Sequence, residues 1–463
     1  MRQLLAGTGR ADITPAPGTP QGGWGAQTHQ RGQDSDLPLF ATALVLADET
    51  FIVAIIDVDA IGFGQEWTRK IIAAIEELTH IPATRIRLSC THTHSGPNTF
   101  RLATISEGME MARSYLDGLP MRIAGAVWRA QQTLRPVRCA AGSGDCAINV
   151  NRRFRTPEGT YAVGRNWEGA VDHAVRVVRF DNYDESPVAT IVHYSCHPTT
   201  MAWENQLFTP DYPGVVRKVV EQQVGGTCLF LQGAAGNLTP RRGFTGDVKV
   251  YHHLGSILGL ESSRITLEIE TLPRRERYKG IMQSGTAIAL YDDEACEPEV
   301  PVLRVAQISV PMPAKKFSSP EKLEMEAATY RTELGRLRKV GSDDEVRAVT
   351  ALATQAGWRA EYARLYAGSE TIALEMQCIR IGNIALLSVP GEPFIELAQE
   401  IVAKSPFAHT LFSGYSNGGF GYIPTKQAFA QGGYETEATP FAPNAAEVLV
   451  ADGVRLLHEI AAK

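Results

Sequence analysis

The sequence predicts an α/β protein with mixed β-sheets flanked by helices and a site built from loops at strand ends. Three observations carry this. Short apolar, β-branched runs such as 51–58 and 188–194 alternate with amphipathic stretches of helical period such as 65–80. Histidines, carboxylates and glycines gather just past those runs, as in Thr91-His92-Thr93-His94-Ser95-Gly96-Pro97. At 463 residues, 44% hydrophobic and 21% charged, the chain can bury a large core and has the balance of a globular protein.

Taken in order, residues 8–15 form an extended segment closed by Pro15. Gly22, Gly23, Trp24 and Gly25 come next, where missing side chains let the backbone approach a ligand or a neighbouring strand. Residues 40–46 and 51–58 read as a hairpin, with Asp57 and Asp59 serving a site or capping the next segment. The 65–80 helix turns Trp67, Ile71, Ile72, Ile75 and Leu78 to the core. Ile86-Arg87-Leu88 is a strand that leads to His92 and His94, which an extended chain would point to one side. Two imidazoles there could share a metal, divide metal binding from proton transfer, or simply sit in a hydrogen-bonded turn. Residues 119–134 are helical, with Pro120 in the first turn.

Asn149-Val150-Asn151-Arg152-Arg153 offers guanidiniums for a carboxylate or oxyanion, or else a solvated basic turn. Strands 176–180 and 188–194 lead to His197, placed at a strand end as His92 is, while His193 reads as a core or supporting residue. A helix runs from Asp211 to about 224, and 228–231 is a buried strand. It ends in Gly233-Ala234-Ala235-Gly236-Asn237-Leu238-Thr239-Pro240, a small-residue loop whose amides suit an anion but which lacks the phosphate-loop pattern. Residues 248–269 are helical, and 270–300 are charged and poorly patterned, a candidate lid. Two helices, 320–339 and 343–366, carry no catalytic constellation and read as scaffold. A hairpin over 371–389 leads to Glu392 and a helix over 394–403. A last strand, 411–416, precedes a glycine-rich loop to Tyr422; Tyr434 and a closing helix over 444–461 complete the chain.

A formal charge of −6 without any basic run excludes a general nucleic-acid binder. Seven scattered cysteines without a CxxC pair indicate buried thiols rather than a disulfide framework or thiolate zinc knot, which fits a reducing compartment. No apolar run approaches the roughly 20 residues of a transmembrane helix. The N-terminus reaches Gly7 and then charge too early for a signal peptide, so a cytoplasmic location is expected, although a chain whose leader had been removed would read the same.

The strand-end motifs together resemble the neutral/alkaline non-lysosomal ceramidase family, N-terminal catalytic part. The resemblance runs from Gly7-Thr8-Gly9-Arg10-Ala11-Asp12-Ile13-Thr14-Pro15 to Tyr434-Glu435. It passes through the His92–Pro97 motif, Asn151-Arg152, His197-Pro198-Thr199, the 233–240 loop, Pro390-Gly391-Glu392 and the Tyr422/Tyr434 pair, in the family's order. It implies one catalytic domain over 1–463 with a helical or irregular insertion at about 270–370. It implies a zinc-dependent hydrolase that cleaves an amide, in ceramide for the best-known members, with a small-molecule or lipid-like N-acyl substrate. By position, His92, His197, Glu392 and Tyr422 would hold Zn²⁺. His94 would be the acid/base, and Arg152 and Tyr434 would lie at the scissile group. Gly23, Trp24, Asn237 and Thr239 fall on the substrate side, with Thr239 where the family usually has Ser. The chain ends soon after Tyr434, before the family's β-sandwich module. Association into a homo-oligomer is left open.

Two other classes share parts of the pattern. An amidohydrolase barrel also opens with His-x-His, but the strand-hairpin spacing here does not repeat as eight βα units. A non-catalytic metal- or ligand-binding protein would keep the fold without turnover. The same zinc site could also act on an ester or glycosidic bond.

Overall fold

Three parallel strand pairs, one at each edge of a large sheet and one in a smaller sheet, set the architecture. The computed structural model describes residues 3–100, 105 and 107–462; Met1 and Arg2, where the segment read for a leader begins, lie outside it. The eight-stranded sheet runs Thr227–Gln232, Pro187–Tyr194, Ala174–Asn182, Arg135–Asp145, Leu4–Asp12, Phe40–Ala47, Ile52–Val58, Ile86–Cys90. Its outermost pairs are parallel and the strands between them antiparallel. The four-stranded sheet runs Leu303–Pro313, Thr371–Ile381, Ile384–Ser388, His409–Ser413, and its last pair is parallel.

The two sheets stack as the middle layers of an α/β/β/α sandwich. Leu44, Leu46, Val53, Ile55, Ile191 and Leu229 on one face of the large sheet meet Ile379, Ile381, Leu386 and Leu411 of the small one. On its other face lie the helices Gln65–Thr79 and Met109–Gln132, and, further along, Tyr212–Gln223 and Val248–Glu268. The outer face of the small sheet is covered by Ile395–Ala403 and Ala445–Ala461. Strands buried on both faces explain why so many of these segments read as unbroken apolar runs. Gly7 and Gly9 let the Met109–Gln132 helix lie directly on its strand; a Cβ at either would come 2.1 Å from a helix carbonyl oxygen.

The large sheet also curls until its edges meet. Phe230 N in one edge strand donates to Asp57 Oδ2, one strand in from the other edge, at 3.1 Å. Isolated bridges Ser89–Ser416 and Gly233–Ser413 tie both edges to the chain that leaves the parallel pair of the small sheet. Neither edge is then open to further pairing there. The C-terminal ends of these three parallel pairs converge, a geometry that in α/β proteins gathers ligand sites at strand ends.

The predicted fold class matches this architecture, and four local readings are corrected. The second helix starts at Met109, so Pro120 is interior; buried Ala112, Leu116 and Leu119 on one face outweigh one missing amide. Residues Asn149–Arg155 are a strand, so Arg152 and Arg153 are buried ladder residues and not a solvated turn. The 270–300 segment contains an exposed two-stranded ribbon, Arg274–Gln283 with Ala287–Ala295. The helices Pro320–Val340 and Asp343–Tyr366, joined through the Ser342–Glu345 capping box, are more than scaffold, because the second one walls the site cavity. No described helix is long and apolar enough to cross a membrane.

Candidate metal centre and active site

His92 and His94 do converge, but not by strand alternation. The strand ends at Cys90, and the chain turns sharply through His92, whose φ of 68° lies in the left-handed region. Thr91 N and His92 N, donating to Val58 O and Ala60 O at 2.9 and 3.0 Å, hold that turn against the neighbouring strand end. The two rings sit 5.0 Å apart, nearly perpendicular. His197, beyond the strand Pro187–Tyr194, brings its ring to 4.8 Å from His92 and 5.7 Å from His94.

Each of the three imidazoles is pinned the same way. Nδ1 of His92, His94 and His197 contacts the carbonyl oxygens of Ile61, Gly23 and Ala235 at 2.5, 2.8 and 2.5 Å. A carbonyl only accepts, so each Nδ1 carries the proton and each Nε2 is left with a lone pair. All three Nε2 atoms are buried and without a hydrogen-bond partner among the described residues, as is Glu392 Oε2. That oxygen lies 3.5 Å from His92 Nε2 and 3.2 Å from His197 Nε2. One ligand atom from each histidine falls within 4.8 Å of the others.

Glu392 reaches this point through a short parallel pairing, Glu392–Pro393 with Tyr422–Ile423, which sets Glu392 opposite Tyr422. The small-residue loop serves the same purpose. Gly236 packs where a Cβ would strike the Glu392 carbonyl oxygen at 2.4 Å, and its amide donates to Pro393 O. Amides of Gly233, Gly236 and Leu238 are taken by main-chain carbonyls, so these three positions fix the path of the loop beside Glu392 and are not available to an anion.

Four lone-pair atoms facing one another repel unless a cation sits among them. Burial, aided by Arg152, pushes the His197 imidazole down to about 3, and burial with the neighbouring histidines holds His94 well below the usual value. Burial opposes ionisation of Glu392, whereas positive charge at the facing His92 and His197 holds its carboxyl well below the usual range; with their Nε2 atoms unprotonated, a bound cation is what would supply that charge. These atoms fit a divalent ion: imidazole nitrogens fixed through the opposite nitrogen, plus a carboxylate, are donors that Zn²⁺ accepts.

A second group of unsatisfied atoms consists of donors. Arg152 Nε donates to Glu435 Oε1 at 2.9 Å while its Nη2 is buried without a hydrogen-bond partner among the described residues. Arg153 Nη1 completes the cluster on Glu435 Oε2 at 2.8 Å. Burial weakens the charge of Arg152, yet Tyr422 and Glu435 beside it outweigh burial and keep it a cation. The guanidinium lies 5.3 Å from the Tyr422 ring centre. The Tyr415 hydroxyl and the Trp24 indole N–H are further buried donors without a partner among the described residues. Burial pushes the phenols of Tyr415 and Tyr422 well above the ordinary value.

His92, His94, Glu392, Tyr422, Tyr434 and Tyr415 line one cavity. Phe63, Phe100, Trp358 and Tyr362 contribute its apolar walls, the last two from the helix Asp343–Tyr366. Tyr434 makes edge-on contacts with Tyr422 and Trp358, at 5.5 and 5.7 Å between ring centres. Of the residues read as substrate-side, Gly23 and Trp24 serve His94: one by its carbonyl, the other by a ring 4.9 Å away. Asn237 and Thr239 are not among the residues lining that cavity. Asn237 Oδ1 accepts from Ile395 N and its Nδ2 donates to Glu396, capping a helix, while Thr239 meets the Thr199 hydroxyl at 3.2 Å. Asp57 and Asp59 neither serve the site nor cap a helix; both pair with Arg217.

Sequence reading missed Glu435, Tyr415, Trp358 and Tyr362. Tyr415 was hidden inside a segment read as strand to 416, whereas the strand stops at Ser413 and the Gly414-Tyr415-Ser416-Asn417-Gly418 stretch is a turn. The glycines at both ends were the available signal.

The profile of the family described as "Neutral/alkaline non-lysosomal ceramidase, N-terminal" matches residues 4–241. That stretch carries His92, His94, Arg152 and His197, while Glu392, Tyr415 and Tyr422 lie beyond it. The chain is 25% identical over 395 residues to the neutral ceramidase of Pseudomonas aeruginosa, covering 77% of this chain and 57% of that one. It is 26% identical over 239 residues to neutral ceramidase A of Dictyostelium discoideum, covering 48% and 32%. The chain thus spans little more than half the length of the first of these relatives. Among solved structures, a ceramidase complexed with C2 superposes with a TM-score of 0.67 at 19% identity, covering 100% of this chain and 76% of that one. Neutral ceramidase from Pseudomonas aeruginosa superposes with a TM-score of 0.65 at 20% identity, over 99% and 75%. These likenesses are of fold.

Proposed function

The chain belongs to the neutral/alkaline non-lysosomal ceramidase family, and we propose from that premise that it is a metal-dependent hydrolase of an amide bond in an N-acylated substrate. The relatives named neutral ceramidase support ceramide or a ceramide-like lipid as the substrate class. The observation that carries the reading is the convergence of three carbonyl-anchored imidazoles and one carboxylate with no partner among the described residues. Zinc is the metal we infer, with His92, His197 and Glu392 as its ligands and Tyr422 beside them. When bound, it supplies a Lewis acid that acidifies water and polarises a carbonyl.

The chain's own residues do the rest. The main-chain carbonyls of Ile61 and Ala235 keep the lone pairs of His92 and His197 aimed at one point. His94 is held apart by Gly23 and Trp24, with Nε2 unprotonated and facing the cavity. It is placed to take a proton from the attacking water and return it to the leaving amine. Arg152, fixed through Glu435, keeps Nη2 for the oxyanion that forms on the carbonyl. Aromatic walls exclude water from that charge and suit an apolar acyl or amine portion.

The test is metal analysis of the purified protein together with a panel of N-acyl sphingoid bases, N-acyl amino sugars, simple amides, esters and glycosides. We expect about one zinc per chain and turnover of an N-acyl substrate that a chelator abolishes. Turnover confined to esters or glycosides would retain the site and overturn the amide assignment. A folded protein that takes up no metal would overturn the whole reading.

A further inference from the structure

Tyr415 is unlike the other aromatic residues of the cavity. Its backbone is held in the left-handed region, at φ 55°, which bulky side chains seldom occupy and which concentrates at functional sites. Two hydrogen bonds fix it there: Tyr415 N donates to Gly391 O at 2.9 Å, and Tyr415 O accepts from Cys90 N at 3.1 Å. The residue is thereby tied to the two segments that deliver Glu392 and His92. Its ring lies 4.2 Å from the His92 ring and 6.0 Å from that of His197. Tyr415 lines the cavity, and its hydroxyl is buried with no partner among the described residues.

A phenol that only filled space would be expected to turn its hydroxyl to a nearby main-chain carbonyl. Tyr194 and Tyr212 do so, donating to Cys146 O and Cys196 O. Tyr415 does not. The unsatisfied atoms at the site therefore fall into two kinds: lone pairs that call for a cation, and donors that call for an acceptor, of which Arg152 Nη2–H and Tyr415 O–H lie on the side of His92, Glu392 and Tyr422 and Trp24 Nε1–H lies beside His94. We propose that the Tyr415 hydroxyl is a catalytic hydrogen-bond donor to the scissile carbonyl oxygen, acting with Arg152. The identity of that acceptor rests on the amide-hydrolysis reading above.

The experiment compares wild type, Tyr415→Phe and Tyr415→Leu as zinc-loaded protein. The readouts are zinc content, melting temperature, steady-state hydrolysis of the substrate found for the wild type, and calorimetric binding of acetohydroxamate, which presents a carbonyl oxygen. Tyr415→Phe should keep zinc and melting temperature, lower kcat about 10- to 100-fold with KM little changed, and weaken acetohydroxamate about tenfold. Tyr415→Leu should lose the same amount of probe affinity, because the hydroxyl and not the ring is responsible. Unchanged kcat and probe affinity in Tyr415→Phe, a loss confined to Tyr415→Leu, or wild type that does not bind the probe would each overturn the inference. If the wild type hydrolyses no amide but Tyr415→Phe still weakens the probe, the amide reading fails while the donor role of Tyr415 stands.

Discussion

Arg217 and Arg152 are both buried guanidiniums set among carboxylates, and they are used differently. Arg217 spends its two terminal nitrogens on Asp57 and Asp59, at 3.0 and 2.5 Å, and those carboxylates also accept Phe230 N and Phe40 N. The cluster joins the helix Tyr212–Gln223 to the curled sheet. Arg152 is anchored through Nε to Glu435, which Arg153 also holds, and it lies beside Tyr422, but its Nη2 has no hydrogen-bond partner among the described residues. Both are closed to solvent, at 3% and 4% exposure, so burial does not tell them apart. The difference lies in what is left unpaired: a guanidinium with its terminal nitrogens matched holds the fold, and one with a buried nitrogen to spare waits for a ligand.

Substitutions can break this contrast. The largest effect is expected at the lone-pair cluster: His92→Ala should lose bound zinc and lower kcat/KM by more than about 10³-fold, since the ion supplies several kcal/mol to the transition state. Metal analysis beside the assay checks it, and a variant that keeps zinc and turnover would remove His92 from the site. Next comes Arg217→Met, which strands two buried carboxylates and should cost about 3–5 kcal/mol in urea unfolding. The folded fraction should keep near-normal kcat; a kcat deficit as large as that of Arg152→Met would erase the contrast. Arg152→Met should do the reverse. Glu435 keeps Arg153, so stability should fall by less than in Arg217→Met, while kcat falls about 10²–10³-fold.

The smallest effect sharpens the boundary of the site. His193 is buried, donates to Phe412 O at 2.8 Å, and burial lowers its imidazole to about 4 from 6.5. A base depressed in the folded state contributes stability that is complete above pH 6.5 and is lost as pH falls from 6.5 towards 4. His193→Gln should therefore flatten acid destabilisation by about 1.4 kcal/mol per pH unit in that window, measured by denaturant melts. A variant with the wild-type pH profile would refute the assignment.

The strands and most helices were legible because burial on two faces or one imposes period and run length. His92, His94, His197 and Glu392 could be picked out because each stands just past a strand, where side chains are freed for chemistry. Glu435 could not, because nothing near it in sequence shows that the buried strand Asn149–Arg155 will need a counter-charge. Trp358 and Tyr362 were lost for a related reason. They occupy an alanine-rich helix that reads as featureless until its packing over the cavity is known. The convergence of His92 and His94 was anticipated, yet the means was a left-handed turn that alternation cannot foresee.

The carbonyl anchors of the three histidines have a further consequence for how the site tolerates change. Their acceptors belong to the main chain of Gly23, Ile61 and Ala235, and every amino acid brings a carbonyl. Substitution at Ile61 or Ala235 can alter packing without touching the tautomer of the imidazole it supports. Gly23 alone is constrained, because a Cβ there would press on His94 O at 2.4 Å. The protonation pattern of the cluster is thus written in the path of the backbone, which sequence drift around it leaves largely intact.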